Sequence, residues 1–445
     1  MQRAYRKTPA GPRAAVRLAS AVIAGLLATA PAFGQRTAEA DARDVARATR
    51  TAPDPAALEA LTKLLEDISD RPLYRNNHVR LLLDGPQTYD AMLEAIADAR
   101  HSVHLETYIF SDGEVGERFA DALIAKARGG VPVRVIYDSL GSRASEHTFF
   151  DRMEQAGVEV YEFNPPETPD AEGGITRDHR KMLIVDGAVA FTGGLNIDEP
   201  YEHASQAVSG RGRGPIGWRD THVEIRGPAA AGFQELFVDA WESFTEKELD
   251  REALGDPPRR AGRALVRVLG AVGGNEGVSQ IRIAYEAAID AARESVLITQ
   301  SYFAPDDAFI EHITAASARG VDVRILVAGY SDSQLLVDAS RSHYTNLLEA
   351  GVRIFESQEW ILHAKTAVVD GVWSTVGSSN LDSLSFIHNH EVNAVILAAE
   401  FGRELEALFA KDVENSVEIV LEEWSKRSLW QRAKELWATL LEYRL

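Results

Sequence analysis

Two short segments of the chain carry the same reactive side chains at the same spacing. Residues 179–187 read HRKMLIVDG and residues 363–371 read HAKTAVVDG, and each is followed at the same distance by an asparagine, Asn196 or Asn380. A histidine can attack phosphorus or protonate a leaving alkoxide, while lysine and asparagine side chains bind the non-bridging oxygens of a phosphate. Two such sets around one pocket would suit cleavage of a phosphodiester, and we expect this chemistry to need no metal and no cofactor.

The geometry of a β-strand explains the spacing inside each segment. Side chains at positions i and i+2 of a strand project to the same face, so His179 would lie beside Lys181, and His363 beside Lys365. Each pair could also be an ordinary surface feature of a strand. A chance His-x-Lys-x4-Asp pattern is rare in a chain with few lysines, and two matching copies are rarer still. We therefore assign all four side chains to a catalytic group.

An Asp-Gly pair in each segment marks a hairpin turn. Asp186 and Asp370 each precede a glycine between two apolar runs, so we expect both carboxylates to have a supporting, structural role. The turn carries the chain back, and Asn196 and Asn380 can then arrive beside the histidine and lysine. Asparagine also suits turns, but the equal spacing favours a catalytic role for both. Ser378 could donate to a phosphate or fill a tight turn, and the sequence leaves both readings open.

The two segments belong to two halves of the chain that share one order of strands and helices. The fragment RGGVPVRVIYD of the first half matches ARGVDVRILVA of the second, and EQAGVEVYEF matches LEAGVRIFES. Strands that alternate with helices of ~10–15 residues indicate α/β layering with a largely parallel sheet. We expect two pseudo-twofold-related α/β/α sandwich domains, each a mixed sheet with helices on both faces, and one active site at their interface.

Composition and turn signals divide the chain into six segments. Glycine and proline cluster between the two halves and mark a linker there. The expected segments are an export signal or N-terminal anchor at 1–34, a tether and short helix at 35–72, the first domain at 73–253, the linker at 254–264, the second domain at 265–423, and a C-terminal amphipathic helix at 424–445.

The N-terminal segment has the features of an export signal. Basic residues precede an uncharged, mostly apolar run at 18–33, and Ala30-Pro31-Ala32 is typical of a cleavage site. The same pattern also fits an uncleaved anchor. Both readings place the body of the protein outside the cytoplasm, either in the periplasm or bound to the outer face of the cytoplasmic membrane. The absence of cysteine excludes thiol catalysis, disulfides and cysteine-zinc sites.

Charge and aromatic residues indicate what the protein binds. The formal net charge is −20, whereas a protein that grips a nucleic-acid backbone usually presents a basic face, so we do not expect a nucleic-acid partner. The C-terminal helix combines Trp430 and Trp437 with several basic residues. Such a helix either lies at a membrane surface or packs its aromatic side on the body of the protein. No obligate protein partner is evident.

The motifs resemble the HKD motifs of the phospholipase D superfamily, and more narrowly those of bacterial cardiolipin synthases. The similarity includes the stretches LETYIF, HRKMLIVDGAVAFTGGLN, WRDTHVEIRGP and ILHAKTAVVDGVWSTVGSSNLDSLSF. This resemblance implies that His179 is the nucleophile and His363 the general acid. It also implies that two carboxylates, Asp220 and Glu391, lie behind the histidines and fix their tautomers.

The resemblance covers residues 77–398 and departs from the family pattern in two places. Leu384 stands where an arginine is common, and one export-like segment replaces the usual pair of N-terminal membrane helices. It implies a phosphatidyltransferase that moves a phosphatidyl group from phosphatidylglycerol or a similar phospholipid to a lipid hydroxyl, through a phosphohistidine, at a membrane surface. A hydrolase that releases phosphatidic acid, a secreted nuclease of the same fold and a non-catalytic lipid-binding scaffold remain open as alternatives.

Overall fold

The structure is a computed structural model that describes residues 71–166, 176–202, 217–274, 279–331 and 333–442. The expected export segment at 1–34 and nearly all of the expected tether at 35–72 lie outside these ranges. Both histidine motifs lie within them, together with most of each half of the chain.

Strands of both halves form the centre of the molecule. The first half contributes β1 (Leu73–Leu83), β2 (Val103–Thr107), β3 (Val133–Asp138), β4 (Glu159–Phe163), β5 (Met182–Val185), β6 (Val189–Gly193), β7 (Trp218–Arg219) and β8 (Thr221–Arg226). The second half contributes β9 (Ala264–Ala271), β10 (Ser295–Gln300), β11 (Phe303–Ala304), β12 (Asp322–Ala328), β13 (Arg353–Ser357), β14 (Ile361–Leu362), β15 (Lys365–Val369), β16 (Trp373–Gly377), β17 (Leu381–Asp382), β18 (Glu391–Leu397) and β19 (Ser416–Ile419).

Helices connect the strands and cover the sheet. Those of the first half are α1 (Asp84–Asp98), α2 (Glu114–Arg128), α3 (His147–Gln155) and α4 (Ala230–Thr245). Those that follow are α5 (Gln280–Ala291), α6 (Asp307–Ala318), α7 (Gln334–Ser342), α8 (Tyr344–Glu349), α9 (Ala399–Glu414), α10 (Leu421–Ser425) and α11 (Leu429–Glu442). Short 3-10 turns at Glu199–Tyr201 and Arg251–Leu254 and a π-helical turn at Leu384–His388 complete the elements of the described ranges.

The strand order shows how the two halves are related. Within the described ranges, 15 strands form one sheet in the order β19-β13-β12-β10-β15-β16-β18-β9-β1-β8-β6-β5-β2-β3-β4. Read outward from the β9–β1 junction, the order β9-β18-β16-β15-β10-β12-β13 matches β1-β8-β6-β5-β2-β3-β4 element for element. The pseudo-twofold α/β fold expected from the sequence is therefore confirmed.

The direction of the strands corrects one expectation. Only β2, β3 and β4, and likewise β10, β12 and β13, pair in parallel within the large sheet. The hairpin at each histidine motif and the strand after it return antiparallel. The mixed sheet expected for each half is confirmed, but the sheet is not largely parallel, because each hairpin and the strand after it add three antiparallel strands to the three that pair in parallel.

Apolar cores lie on both faces of the sheet. On one face of the first half, α2 places Phe119 and Leu123 four residues apart, on the side that packs against β2 and β3. The second half repeats this with α5 and α6, whose Ile289 and Ile313 are buried. On the opposite face, Phe237 of α4 lies in a core shared with β9 and β18 of the second half. The halves thus pack as one unit, and the expected domain boundaries remain predictions.

The C-terminal region is divided where the sequence predicted one helix over 424–445. α10 ends at Ser425, and α11 begins at Leu429. Ser428 lies just before α11, and its hydroxyl accepts a hydrogen bond from the backbone N–H of Gln431 at 3.2 Å. A serine that accepts from a first-turn N–H favours the start of a new helix. None of the helices in the described ranges has the length and hydropathy required to cross a bilayer.

Candidate active site

The four expected catalytic side chains lie where an extended segment enters a motif hairpin. His179 and Lys181 precede β5, and the Lys181 ammonium donates to the backbone carbonyl of His179 at 2.8 Å. His363 lies between β14 and β15, and Lys365 begins β15 and donates to the carbonyl of His363. Each lysine therefore folds back over its own histidine, as the i, i+2 spacing predicted.

Each histidine is paired with a carboxylate from the other half of the chain. His179 Nδ1 lies 2.9 Å from Oε1 of Glu391 in β18, and His363 Nδ1 lies 2.7 Å from Oδ2 of Asp220, between β7 and β8. The backbones cross in the same way, because His179 N donates to the carbonyl of His390 at 3.0 Å. Neither histidine could be held in this way by its own half alone.

The two carboxylates are held in their charged form. Burial alone would raise their pKa values, but the histidine that each one contacts keeps the pKa of both Asp220 and Glu391 below the usual range. Glu391 also accepts hydrogen bonds from Ser378 and, at 2.8 Å, from Ser385. A carboxylate at Nδ1 fixes the proton on that nitrogen and leaves the lone pair on Nε2, which is the arrangement that a nucleophilic or acid–base histidine needs.

The pKa values of the two histidines respond to the lysines of both motifs. Burial is the main cause that lowers the pKa of His179, and the ammonium of Lys365 from the other half lowers it further. Burial and the neighbouring Lys365 lower the pKa of His363 to about 4, with a further contribution from Lys181. Burial also lowers the pKa of Lys181 to about 7, and Lys365 adds to this effect. The site thus combines two neutral imidazoles with two buried lysines, whose positive charge the carboxylates of Asp220 and Glu391 offset.

The two asparagines lie at the site but are engaged by its walls. Asn196 Nδ2 donates to the hydroxyl of Tyr201 at 2.8 Å, and its Oδ1 accepts from the backbone N–H of Ile109. Asn380 Oδ1 accepts from Ser301 Oγ at 3.0 Å, and Ser301 accepts in turn from Lys365 at 2.9 Å. Both asparagines therefore hold neighbouring side chains in place around the histidines.

The supporting residues have distinct positions. Ser378, which the sequence left open, donates to Glu391 and accepts from the backbone N–H of Val392 at 3.0 Å, so it supports the carboxylate. Asp186 and Asp370 have φ angles of 55° and 51° in the Asp-Gly turns. Their carboxylates accept from the backbone N–H groups of residues 100–102 and 293–295. They stabilise the turns away from the histidines.

Aromatic side chains surround the histidines, and the sequence did not predict a place in the site for Trp218 or Tyr201. The ring of Tyr108 lies 5.0 Å from that of His179, and the ring of Trp218 lies 5.0 Å from that of His363. The Tyr201 hydroxyl lies 3.3 Å from His363 Nδ1. Tyr108 had a signal, since LETYIF aligns with the stretch around Tyr302 in the second half. Tyr201 has no counterpart there, so no internal comparison could identify it.

Arg180, the middle residue of the first motif, joins the two halves beneath the site. Its guanidinium lies 3.3 Å from Glu106 Oε1 and donates to the backbone carbonyls of Ala271 at 3.0 Å and Glu391 at 3.4 Å. His104, on the same strand as Glu106, stacks instead on a phenylalanine of α4 and belongs to the core. Arg180 thus links the strand of the first histidine to the backbone of the carboxylate that holds it.

The described residues contain no group of three or more His, Asp or Glu side chains that could hold a metal ion. The expectation that no metal is needed rests on the side chains named above. His390, which neighbours Glu391, packs its ring against Phe163 and Phe244, and burial lowers its pKa to about 3. It contributes its backbone carbonyl to the site.

Comparison with known proteins identifies the family of the chain. The family model described as "Cardiolipin synthase, PLD-like domain" matches residues 92–205 and 285–413, one segment in each half. Cardiolipin synthase 1 of Bacillus cereus is 33% identical over 390 residues, which are 86% of this chain and 75% of that protein. The cardiolipin synthase of a Geobacillus species is 35% identical over 384 residues, with the same coverage. That of Listeria monocytogenes is 34% identical over 372 residues, 83% of this chain and 76% of that protein.

A solved structure shows the same fold at low sequence identity. The crystal structure of phosphatidylserine synthase from Haemophilus influenzae matches with a TM-score of 0.66 and 12% identity, over 86% of this chain and 99% of that one. The fold and the paired motifs define a protein of the phospholipase D superfamily. Within it, the chain belongs to the cardiolipin synthase family.

Proposed function

We infer that the chain is a phosphatidyltransferase of the cardiolipin synthase type. The observation that carries this inference is the crossed pairing of His179 with Glu391 and of His363 with Asp220 in a cleft that also holds two buried lysines. Such a cleft offers a nucleophile, an acid and positive charge to one phosphodiester. The relatives described above, which match most of the chain, are named cardiolipin synthases.

The first half of the reaction forms a covalent intermediate. Nε2 of His179 attacks the phosphorus of a phosphatidyl donor such as phosphatidylglycerol, and the bond from phosphorus to the headgroup oxygen breaks. Protonated His363 gives its proton to the leaving alkoxide, and the headgroup alcohol departs. Lys181 and Lys365 offset the charge on the non-bridging oxygens in the transition state.

The second half returns the enzyme to its starting state. Now neutral, His363 takes the proton from the hydroxyl of a second lipid, and that oxygen attacks phosphorus while the bond from phosphorus to Nε2 breaks. In the free protein, burial and Lys365 keep the pKa of His363 low. A bound phosphodiester brings negative charge next to the ring, which raises the pKa and supplies the protonated form that the first step uses.

The proposal also covers the lipid donor, the lipid acceptor and the place where the protein acts. The substrates are phospholipids, with phosphatidylglycerol or a similar lipid as the donor and a lipid hydroxyl as the acceptor. The protein acts at a membrane surface outside the cytoplasm, which the export-like N-terminal segment supports. The net charge of −20 argues against nucleic acid as the substrate.

One assay separates transfer from the alternatives. Purified full-length protein is incubated with vesicles of labelled phosphatidylglycerol, and the products are separated by thin-layer chromatography. Transfer yields cardiolipin and glycerol, and His179→Ala abolishes both, while replacement of the exposed His101 by alanine leaves them unchanged. Phosphatidic acid as the sole product would identify a hydrolase. Degradation of plasmid DNA without any lipid product would overturn the lipid assignment.

A further inference from the structure

Helix α11 is docked on the body of the protein by one side. Ala438 is 1% exposed and packs with Ala304 of β11 and Ala339 of α7. Glu435, on the same side, is 6% exposed and accepts hydrogen bonds from the Arg427 guanidinium at 3.1 Å. The helix is therefore a fixed part of the second half.

The opposite side of α11 exposes its largest apolar side chains. Trp430 and Trp437 are 67% and 66% exposed, and Leu429 at the start of the helix is 83% exposed. A separation of seven residues places the two indoles on the same side of a helix. The structure thus decides against the aromatic side of this helix packing on the body.

The charges around the indoles are basic. Lys434 lies between them, with its ammonium 5.9 Å from the Trp430 ring, and Arg432 is also exposed. Among the described side chains of α11, no carboxylate is exposed, because Glu435 is buried. This surface therefore differs in sign from the chain as a whole, whose net charge is −20.

An anionic lipid surface matches this combination. Indole rings favour the boundary between headgroups and acyl chains, and lysine and arginine beside them contact lipid phosphates. A protein partner would more often cover such indoles with a complementary apolar surface than leave cations among them. The acidic surface of a second copy could attract the cations but would not by itself bury the indoles.

The helix also lies close to the proposed active site. Ala304, which Ala438 contacts, belongs to β11, and β11 pairs with β17 directly after Asn380. Ser301, which connects Lys365 to Asn380, comes three residues before Ala304 in the chain. A surface that binds lipid here would hold the wall of the cleft next to the headgroups.

We propose that the side of α11 formed by Leu429, Trp430, Lys434 and Trp437 is a membrane-docking surface, which inserts the two indoles among the headgroups of anionic phospholipids. The proposal rests on the proposed function for its choice of partner. It adds the surface by which the protein meets its substrate.

A site-specific probe tests the contact. The chain has no cysteine, so Trp437→Cys in the full-length protein can carry one polarity-sensitive fluorophore, and Arg128→Cys, at the exposed end of α2, provides the matched control. On vesicles of phosphatidylcholine and phosphatidylglycerol, emission from position 437 should shift to the blue and emission from position 128 should not. The fluorophore reports only the surroundings of position 437. A blue shift therefore shows contact at α11 even if the N-terminal segment also holds the chain on the vesicle. A label at 437 that stays in water while the protein is on the vesicle overturns the proposal.

A kinetic comparison separates failure of docking from failure of the function. The double variant Trp430→Ala/Trp437→Ala should lose vesicle turnover at least ~10-fold, a factor equivalent to ~1.4 kcal/mol of binding free energy. Its turnover of short-chain phosphatidylglycerol dispersed below the micelle concentration should equal that of the unchanged protein. Equal loss on both substrates, or no loss on vesicles, contradicts the docking role. Absence of turnover by the unchanged protein on both substrates contradicts the proposed function instead. A change in oligomeric state with unaltered vesicle binding would show a self-association surface and also overturn the proposal.

Discussion

The two histidines differ in what surrounds the nitrogen that faces the carboxylate. His363 Nδ1 lies 2.7 Å from Asp220, 3.2 Å from Lys365 Nζ and 3.3 Å from the Tyr201 hydroxyl. Around His179 the acceptor Glu391 is instead held by two serine hydroxyls. The ammonium beside His363 makes its protonated ring a stronger acid, which suits a group that must release its proton to an alkoxide.

Removal of the charge behind His363 tests this role. Asp220→Asn keeps the shape of the side chain but no longer stabilises the imidazolium or fixes its tautomer, so we expect kcat to fall by about 100-fold or more. The measurement is steady-state turnover of phosphatidylglycerol, with Asp90→Asn on the exposed side of α1 as the control. A kcat for Asp220→Asn that equals the control would exclude this carboxylate from catalysis.

The pH dependence of the reaction should report Lys181. Burial lowers its pKa from 10.5 to about 7, so the ammonium that binds the phosphate is present below pH 7 and is lost as the pH rises through this value. We therefore expect a further fall in kcat/KM above about pH 7, in addition to the fall that deprotonation of His363 causes at lower pH. Lys181→Arg should move this fall to higher pH, because a guanidinium stays charged. A profile that keeps rising to pH 9, or an unshifted fall in Lys181→Arg, would contradict the assignment.

At the scale of the elements, the Asp-Gly hairpins hold the motif strands in position. Asp186 and Gly187 have φ angles of 55° and 60°, the conformation that a two-residue turn requires and that Asp and Gly tolerate. The Asp186 carboxylate accepts from three successive backbone N–H groups, those of residues 100–102 just before β2. The turn is thereby tied to the neighbouring strand of the sheet.

Replacement of this aspartate should reduce stability. Asp186→Ala removes the acceptor for three backbone N–H groups and forces alanine into a left-handed conformation, so we expect the free energy of unfolding to fall by ~2 kcal/mol or more. Asp186→Asn keeps one acceptor oxygen, and asparagine tolerates the left-handed conformation. The free energy of unfolding of this variant should therefore fall by less. Urea denaturation measures both variants. An asparagine variant that is no more stable than the alanine variant would show that the carboxylate does not hold the turn.

Local patterns predicted these elements because local geometry decides them. The Asp-Gly turns and the relation between His179 and Lys181 depend on a few neighbouring residues, and the structure has both. The sequence did not predict the break before α11. Ser428 can cap α11 only if the chain turns before it, and the sequence pattern does not show that turn. The engagement of Ser378 with Glu391 was also beyond prediction, because it depends on how β16 and β18 lie side by side.

At the scale of the whole molecule, one sheet carries both halves and the active site crosses between them. Two α/β halves were predictable from the matched fragments, and the family resemblance implied that Asp220 and Glu391 act as supports. The sequence did not say which carboxylate would serve which histidine. That answer depends on the long-range contacts in which His179 meets the backbone of His390 and β14 pairs with β7.

Each histidine and its carboxylate partner lie in the same chain. Two variants that each lack one of the histidines should therefore fail to restore activity to one another. Co-expression of His179→Ala with His363→Ala in the same cells should give a preparation without transferase activity, since every chain lacks one of the two imidazoles. Co-expression of the unchanged protein with either variant should retain activity in proportion to the unchanged chains. Recovery of activity in the mixture of the two variants would mean that the site forms between chains.

In the proposed reaction, a phosphatidyl group passes through the imidazole of His179. The direct measurement is to quench the purified protein during turnover of phosphatidylglycerol, digest it without exposure to acid, and locate the adduct by tandem mass spectrometry. We expect a phosphatidyl group on His179 and no such adduct in His179→Ala. Turnover to cardiolipin with no adduct on histidine, or with the adduct on another type of side chain, would contradict it.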